Sequence, residues 1–106
     1  MGRIKITPQE LEIVKKILEQ HVPEYAVRAF GSRVHGKARR SSDLDLAVMT
    51  DVPMEILRMV NLKEAFSESD LPFKVDIVDW AETSENFRWI IEREYVVLKE
   101  TGKSLK

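Results

Sequence analysis

Cysteine is missing altogether from the 106 residues of this chain. Its absence excludes disulfides, thiolate zinc sites and cysteine nucleophiles, and it fits a reducing compartment. Long apolar runs are missing as well, since nothing approaches the roughly 18 residues of a membrane span. The start, Met1-Gly2-Arg3-Ile4-Lys5-Ile6, is too short and too charged for a secretory leader. The expectation is a soluble, cytoplasmic protein without membrane contact. Net charge is nearly absent, at −1, so any attraction to a polyanion has to be local. What is present, 43% hydrophobic and 33% charged residues, is the composition of an ordinary globular chain. Its length suits a single domain over residues 1–106, with 1–6 and 101–106 as loose ends.

Helix-start chemistry opens the chain. In "TPQELEIVKKILEQHV", Thr7 can cap, Pro8 suits the first helical position, and Glu10 completes a capping box. Leu11, Val14, Ile17 and Leu18 recur at helical spacing, and Pro23 ends the helix at or before Val22. "YAVRAFGS", "LDLAVMT" and "FKVDIVDW" read as strands. Between the last two, "MEILRMVNLKEAF" reads as a helix with Ile56, Leu57, Val60 and Leu62 facing inward. Thr83 or Ser84 caps a final helix, "ENFRWIIERE", with Phe87, Ile90 and Ile91 on one side and Trp89 exposed. "YVVLKE" is either an edge strand or an extension of that helix. The order predicts an α/β (α+β) fold, with helices packed on a small sheet.

Two aspartates interrupt the second strand. Side chains at i and i+2 share a face, so Asp43 and Asp45 oppose the core set Leu44, Leu46 and Val48. Like charges held so close repel unless a cation lies between them or one is protonated. On spacing alone, a strand end frayed into solvent explains the pair equally well. In "FKVDIVDW", Phe73, Val75 and Ile77 form the apolar set and Asp76 falls on the other face; Asp79 lies on the apolar side and is set aside. If the two strands are neighbours, Asp76 converges on Asp43 and Asp45. Three hard oxygen donors without histidine or cysteine suit magnesium or manganese, and an ion pair sharing carboxylates serves in-line attack at phosphorus. The turn before the second strand adds the complement. Gly31 permits close backbone approach, Ser32 adds a hydroxyl, Gly36 can take a positive φ, and Arg33, Lys37, Arg39 and Arg40 bring positive charge. His21 suits a helix C-terminus, and His35 reads as a solvated loop residue.

"GSRVHGKARRSSDLDL" resembles the signature of the DNA-polymerase-β-like nucleotidyltransferases: glycine-serine, about ten residues, then aspartate-x-aspartate. "KVDIVDW" resembles the strand that carries the third aspartate of that superfamily, and the small size is most similar to its minimal (MNT) members. The resemblance covers the chain from the first helix to Leu98. It implies that fold, with a small mixed sheet, and an enzyme that joins a nucleoside monophosphate to a hydroxyl as pyrophosphate leaves. Gly31 and Ser32 would hold the β- and γ-phosphates of ATP, with Arg33 and Ser42 as further phosphate contacts. Asp43 and Asp45 would bridge two Mg2+ ions (Mn2+ as an alternative), and Asp76 would complete the set and help activate the acceptor. So short a chain has no room for an acceptor-binding domain. The resemblance therefore implies a partner, the helical HEPN-domain toxin, which an MNT antitoxin modifies with AMP.

A rival reading is a catalytically idle binding module that neutralises such a toxin by complex formation. Its support is the apolar C-terminal region, Trp80, Phe87, Trp89, Ile90, Tyr95, Val96 and Val97, although most of these suit the core of a small domain. A nucleic-acid binder is the weakest reading, because the basic stretch is compact and runs straight into Asp43 and Asp45. A tRNA end as acceptor stays open, as do a homodimer, the nucleotide preferred and the number of nucleotides transferred.

Overall fold

A computed structural model describes residues 4–101. Helix α1 (Pro8–His21) begins with the expected capping box: Glu10 N–H donates to Thr7 Oγ1 (3.1 Å) and Thr7 N–H donates to Glu10 Oε1 (2.9 Å). Strand β1 (Val27–Phe30) follows, then a helical turn α2 (Ser32–His35) that the sequence reading passed over, and strand β2 (Leu44–Val48). Helix α3 (Ile56–Ser67), strand β3 (Val75–Asp79), a 3₁₀ turn (Trp80–Glu82), helix α4 (Glu85–Arg93) and strand β4 (Val96–Lys99) complete the described chain. Ser84, rather than Thr83, caps α4, its hydroxyl accepting from Phe87 N–H at 3.2 Å.

The sheet is mixed, in the order β3-β2-β1-β4. β1 runs antiparallel to β2 and β4, whereas β2 and β3 are parallel, as a crossover through α3 requires. "YVVLKE" thus resolves as an edge strand. Helices α1 and α3 cover one face. There Val14, Leu18, Val27, Ala29, Leu44, Leu46, Val48, Leu62, Phe66 and Ile77 form the main core. The other face carries a smaller core of Phe30, Ala47 and Ile91 beneath α4, with Phe30 and Phe87 meeting edge to face at 5.8 Å. Among the described residues no helix is long and apolar enough to cross a membrane.

The structure corrects three expectations. On α3 only Leu62 of the four assigned residues is buried; Ile56, Leu57 and Val60 are 82%, 68% and 48% exposed. The inward stripe is instead Met59, Leu62 and Phe66, spaced i, i+3, i+7. The segment is apolar on two sides, and periodicity alone selected the wrong one. On α4, Ile91 is buried and Phe87 half-buried, but Ile90 is 54% exposed; Trp89 is exposed as expected. Finally, residues 4–6 are not a loose end, since Ile4 packs on the main core and Lys5 N–H donates to Arg33 O (2.8 Å). The remainder of the expected loose ends, 1–3 and 102–106, lies outside the described residues.

Candidate active site

Strand alternation decides which side chains reach the second sheet face. Along β2, Leu44, Leu46 and Val48 enter the main core, while Asp45 and Ala47 turn the other way. Ala47 lies under α4, whereas Asp45, nearer the start of the strand, is only half-buried. The parallel register sets Asp76 of β3 directly opposite Asp45, and the antiparallel register sets Phe30, the last residue of β1, on its other side. Asp43 stands just ahead of β2. Burial, then Asp76 and then Asp43 push the Asp45 carboxyl up to about 6. Two acidic residues, one on the neighbouring strand and one just ahead of β2, therefore act on Asp45.

Gly31 sits against this group. Its φ of 83° lies in the region that favours glycine, and a Cβ there would overlap Asp45 Oδ2, so only a bare Cα fits between β1 and the carboxylate. Gly31 O accepts from Val34 and His35 N–H (2.9 and 3.0 Å), which turns the chain into α2 with Ser32 at its start. Gly36 closes the turn in the left-handed conformation at φ 90°. Lys37, Arg39 and Arg40 are exposed along the loop that returns to Asp43. Ser42 Oγ accepts from Arg39 N–H at 2.8 Å, so that hydroxyl shapes the loop.

Arg33 is not placed as a phosphate contact. It is only 6% exposed. Its Nε donates to Ser42 O (3.0 Å), Nη1 to Lys5 O (2.8 Å) and Nη2 to Arg40 O (3.1 Å), and its guanidinium lies 4.1 Å over the Phe73 ring. The sequence offers little sign of this, because an arginine in a basic loop reads as solvated. Asp79, set aside in the sequence reading, lies on the core side of β3. It is 8% exposed and accepts from Thr50 Oγ1 and from Met54 N–H (2.6 Å), tying the end of β3 to the β2–α3 connection.

The donor set fits a hard divalent cation: carboxylate oxygens with no imidazole or thiolate, one of them held at an elevated pKa by burial and by its acidic neighbours. Among the described residues, no three acidic or histidine side chains are drawn into a finished ligand set. The convergence is one of backbone register, and like charges do not close together by themselves. A cleft of about 280 Å³ opens beside Asp76, lined by Lys63, Phe66, Leu71, Phe73 and Lys74 among others. A larger one, about 480 Å³, lies between residues 4–7, Arg33, Arg40 and Phe73 and contains none of the three carboxylates.

Comparison with known proteins agrees with this geometry. Residues 12–104 match the family described as polymerase beta, nucleotidyltransferase. The chain is 56% identical over 105 residues to "Probable protein adenylyltransferase MntA" of Haemophilus influenzae, covering 99% of this chain and 92% of that one. A crystal structure described as a toxin-antitoxin with AMP-PNP superposes with a TM-score of 0.73 at 25% identity, over 86% of this chain and 73% of that chain. A structure described as a tri-AMPylated Shewanella oneidensis HEPN toxin in complex with MNT antitoxin gives a TM-score of 0.67 at 22% identity, over 88% and 71% of the two chains, and supports the fold. With a glycine wedged against paired strand carboxylates and a family match over most of its length, this chain belongs to the polymerase β nucleotidyltransferase family.

Proposed function

We propose that this protein is an ATP-dependent adenylyltransferase that transfers AMP to a hydroxyl of a HEPN-type toxin and acts as its antitoxin. The observation that carries the reading is the pairing of Asp45 with Asp76 across β2 and β3, directly against Gly31. In the reaction the acceptor oxygen bonds to the α-phosphorus of ATP, the bond to the bridging oxygen breaks, and pyrophosphate leaves. Gly31 and Ser32 offer a close backbone approach and a hydroxyl to the β- and γ-phosphates. Asp43, Asp45 and Asp76 would hold Mg2+, which when bound supplies charge neutralisation at the phosphates. Asp76 is exposed on the edge strand, and its carboxylate Oδ would take the acceptor proton. Lys63 and Lys74 line the adjoining cleft and keep it electropositive.

The relatives support the choice of acceptor. One is named an adenylyltransferase, and one related complex contains an AMPylated HEPN toxin. Incubation with labelled ATP, Mg2+ and a HEPN-type toxin tests it directly. Label is expected on the partner with the parent chain and at least a thousandfold less with Asp43→Ala, in keeping with the loss of a central charge-stabilising group. No label with the parent chain rejects the reading. Full neutralisation of the toxin by an Asp43→Ala, Asp45→Ala variant would favour the alternative, silencing by binding alone.

A further inference from the structure

Arg33 is a buried cation without a carboxylate partner, since Arg58–Glu24 is the one ion pair among the described residues. Its three donor nitrogens go to three backbone carbonyls from two segments: Lys5 ahead of α1, and Arg40 and Ser42 on the loop into β2. Its flat face rests on Phe73, which leads into β3. In the chain, Arg33 directly follows Ser32, Ser42 directly precedes Asp43, and Phe73 stands three residues before Asp76. One side chain thus joins the turn that follows Ser32 to the segments that lead into Asp43 and Asp76.

We propose that Arg33 is a positioning residue that fixes the Ser32 turn relative to the loop that delivers Asp43, and so governs turnover rather than nucleotide affinity. The inference rests on the adenylyl-transfer reading given above. The guanidinium suits the task because its rigid fork serves several acceptors in fixed directions while one face stacks on an aromatic ring. A lysine keeps the charge but neither the fork nor the flat face. Without the fork, the sheet still holds Gly31 against Asp45 and Asp45 beside Asp76, but the placement of Ser32 against Asp43 is no longer set, and misplacement of reacting groups by about 1 Å can cost on the order of a hundredfold in rate.

The test compares the full-length parent with Arg33→Lys and with Phe73→Leu, which removes only the stack, in complex with the partner. Arg33→Lys is expected to lower kcat about ten- to a hundredfold with KM for ATP within about threefold, and Phe73→Leu to lower kcat by less. A raised KM with unchanged kcat would overturn the proposal, because it marks a direct phosphate contact. Parental values of both parameters would overturn it too. Amide hydrogen exchange without nucleotide separates the two layers of the inference. Residues 37–43 should exchange faster in Arg33→Lys while β1 and the core of β2 stay protected. Unchanged exchange there overturns the positioning role whatever the activity, whereas faster exchange with a parent that transfers nothing upholds the role and rejects the adenylyl-transfer reading.

Discussion

Asp76 and Asp79 lie three residues apart on one strand and lead opposite lives. Asp79 points into the main core, where Thr50 Oγ1 and Met54 N–H donate to its two oxygens, and Thr50 in turn accepts from Ala81 N–H at 3.0 Å. Asp76 is exposed on the other face, opposite Asp45, whose carboxyl has only burial and like charge acting on it. Hydrogen bonds to a carboxylate stabilise its charged form; acidic neighbours and burial oppose it. The first aspartate helps the fold, and the second pair is carried at the expense of stability. On the proposed reading, the pair is kept for the cation it would hold. Residue type alone does not separate the two roles, but strand parity does.

The comparison breaks most severely at Gly31. A Gly31→Ala substitution puts a Cβ into Asp45 Oδ2 at a backbone angle that alanine rarely adopts. We expect transfer activity to fall at least about a hundredfold and stability by about 1–3 kcal/mol, read from kinetics and chemical denaturation. Near-parental activity would show that Gly31 does not bound the site. Asp79→Ala should do the reverse. It strands a buried hydroxyl and a buried N–H, so a loss of about 2–4 kcal/mol is expected, with activity per folded molecule retained below the melting transition. If activity vanishes while the protein stays folded, Asp79 belongs to the chemistry and the contrast with Asp76 fails.

Much of this was legible in the sequence because it depends on period and punctuation. The capping box at Thr7 and Glu10, the alternation of Leu44, Asp45 and Leu46, and the placing of Asp79 on the apolar side of its strand all follow from local rules that the packing obeys. The adjacency of β2 and β3 was assumed rather than read, and the crossover through α3 supplies it. Two things were not legible. A basic loop does not announce that one of its arginines is buried under three carbonyls, one of them from the distant segment ahead of α1, because that is fixed by tertiary closure. Nor does a helix apolar on two sides say which side is covered, and so Ile56, Leu57 and Val60 were placed inside when Met59 and Phe66 take that role.

A smaller effect sharpens the Asp45 side of the contrast. The Asp45 carboxyl is raised from 3.8 to about 6, so the folded state binds its proton more tightly than the unfolded state. Stability lost to this group is therefore nil below the unfolded value, grows as pH rises from about 4, and is complete above about 6. Asp45→Asn removes the charge. Discounted for partial exposure, it should stabilise the metal-free protein by about 1–2 kcal/mol at pH 8 and by almost nothing at pH 4. Urea unfolding in chelator at the two values checks this. An asparagine variant no more stable than the parent at pH 8 would mean that the paired carboxylates impose no burden on the apo fold.

The smallest expected effect concerns the outer side of α3. Ile56 and Leu57 are 82% and 68% exposed, so little apolar area leaves water when the chain folds around them. They begin the helix on the face of the sheet opposite the carboxylates, where α1 and α3 pack together over the main core. An Ile56→Ser, Leu57→Ser double variant should change unfolding free energy by less than about 0.5 kcal/mol, as exposed substitutions usually do. Leu62→Ala, one turn along on the buried side, should cost about 2–5 kcal/mol. The pair calibrates which stripe of α3 belongs to the core. A double variant that costs as much as Leu62→Ala would return Ile56 and Leu57 to the interior, and would require α3 to be rotated about its axis on the sheet.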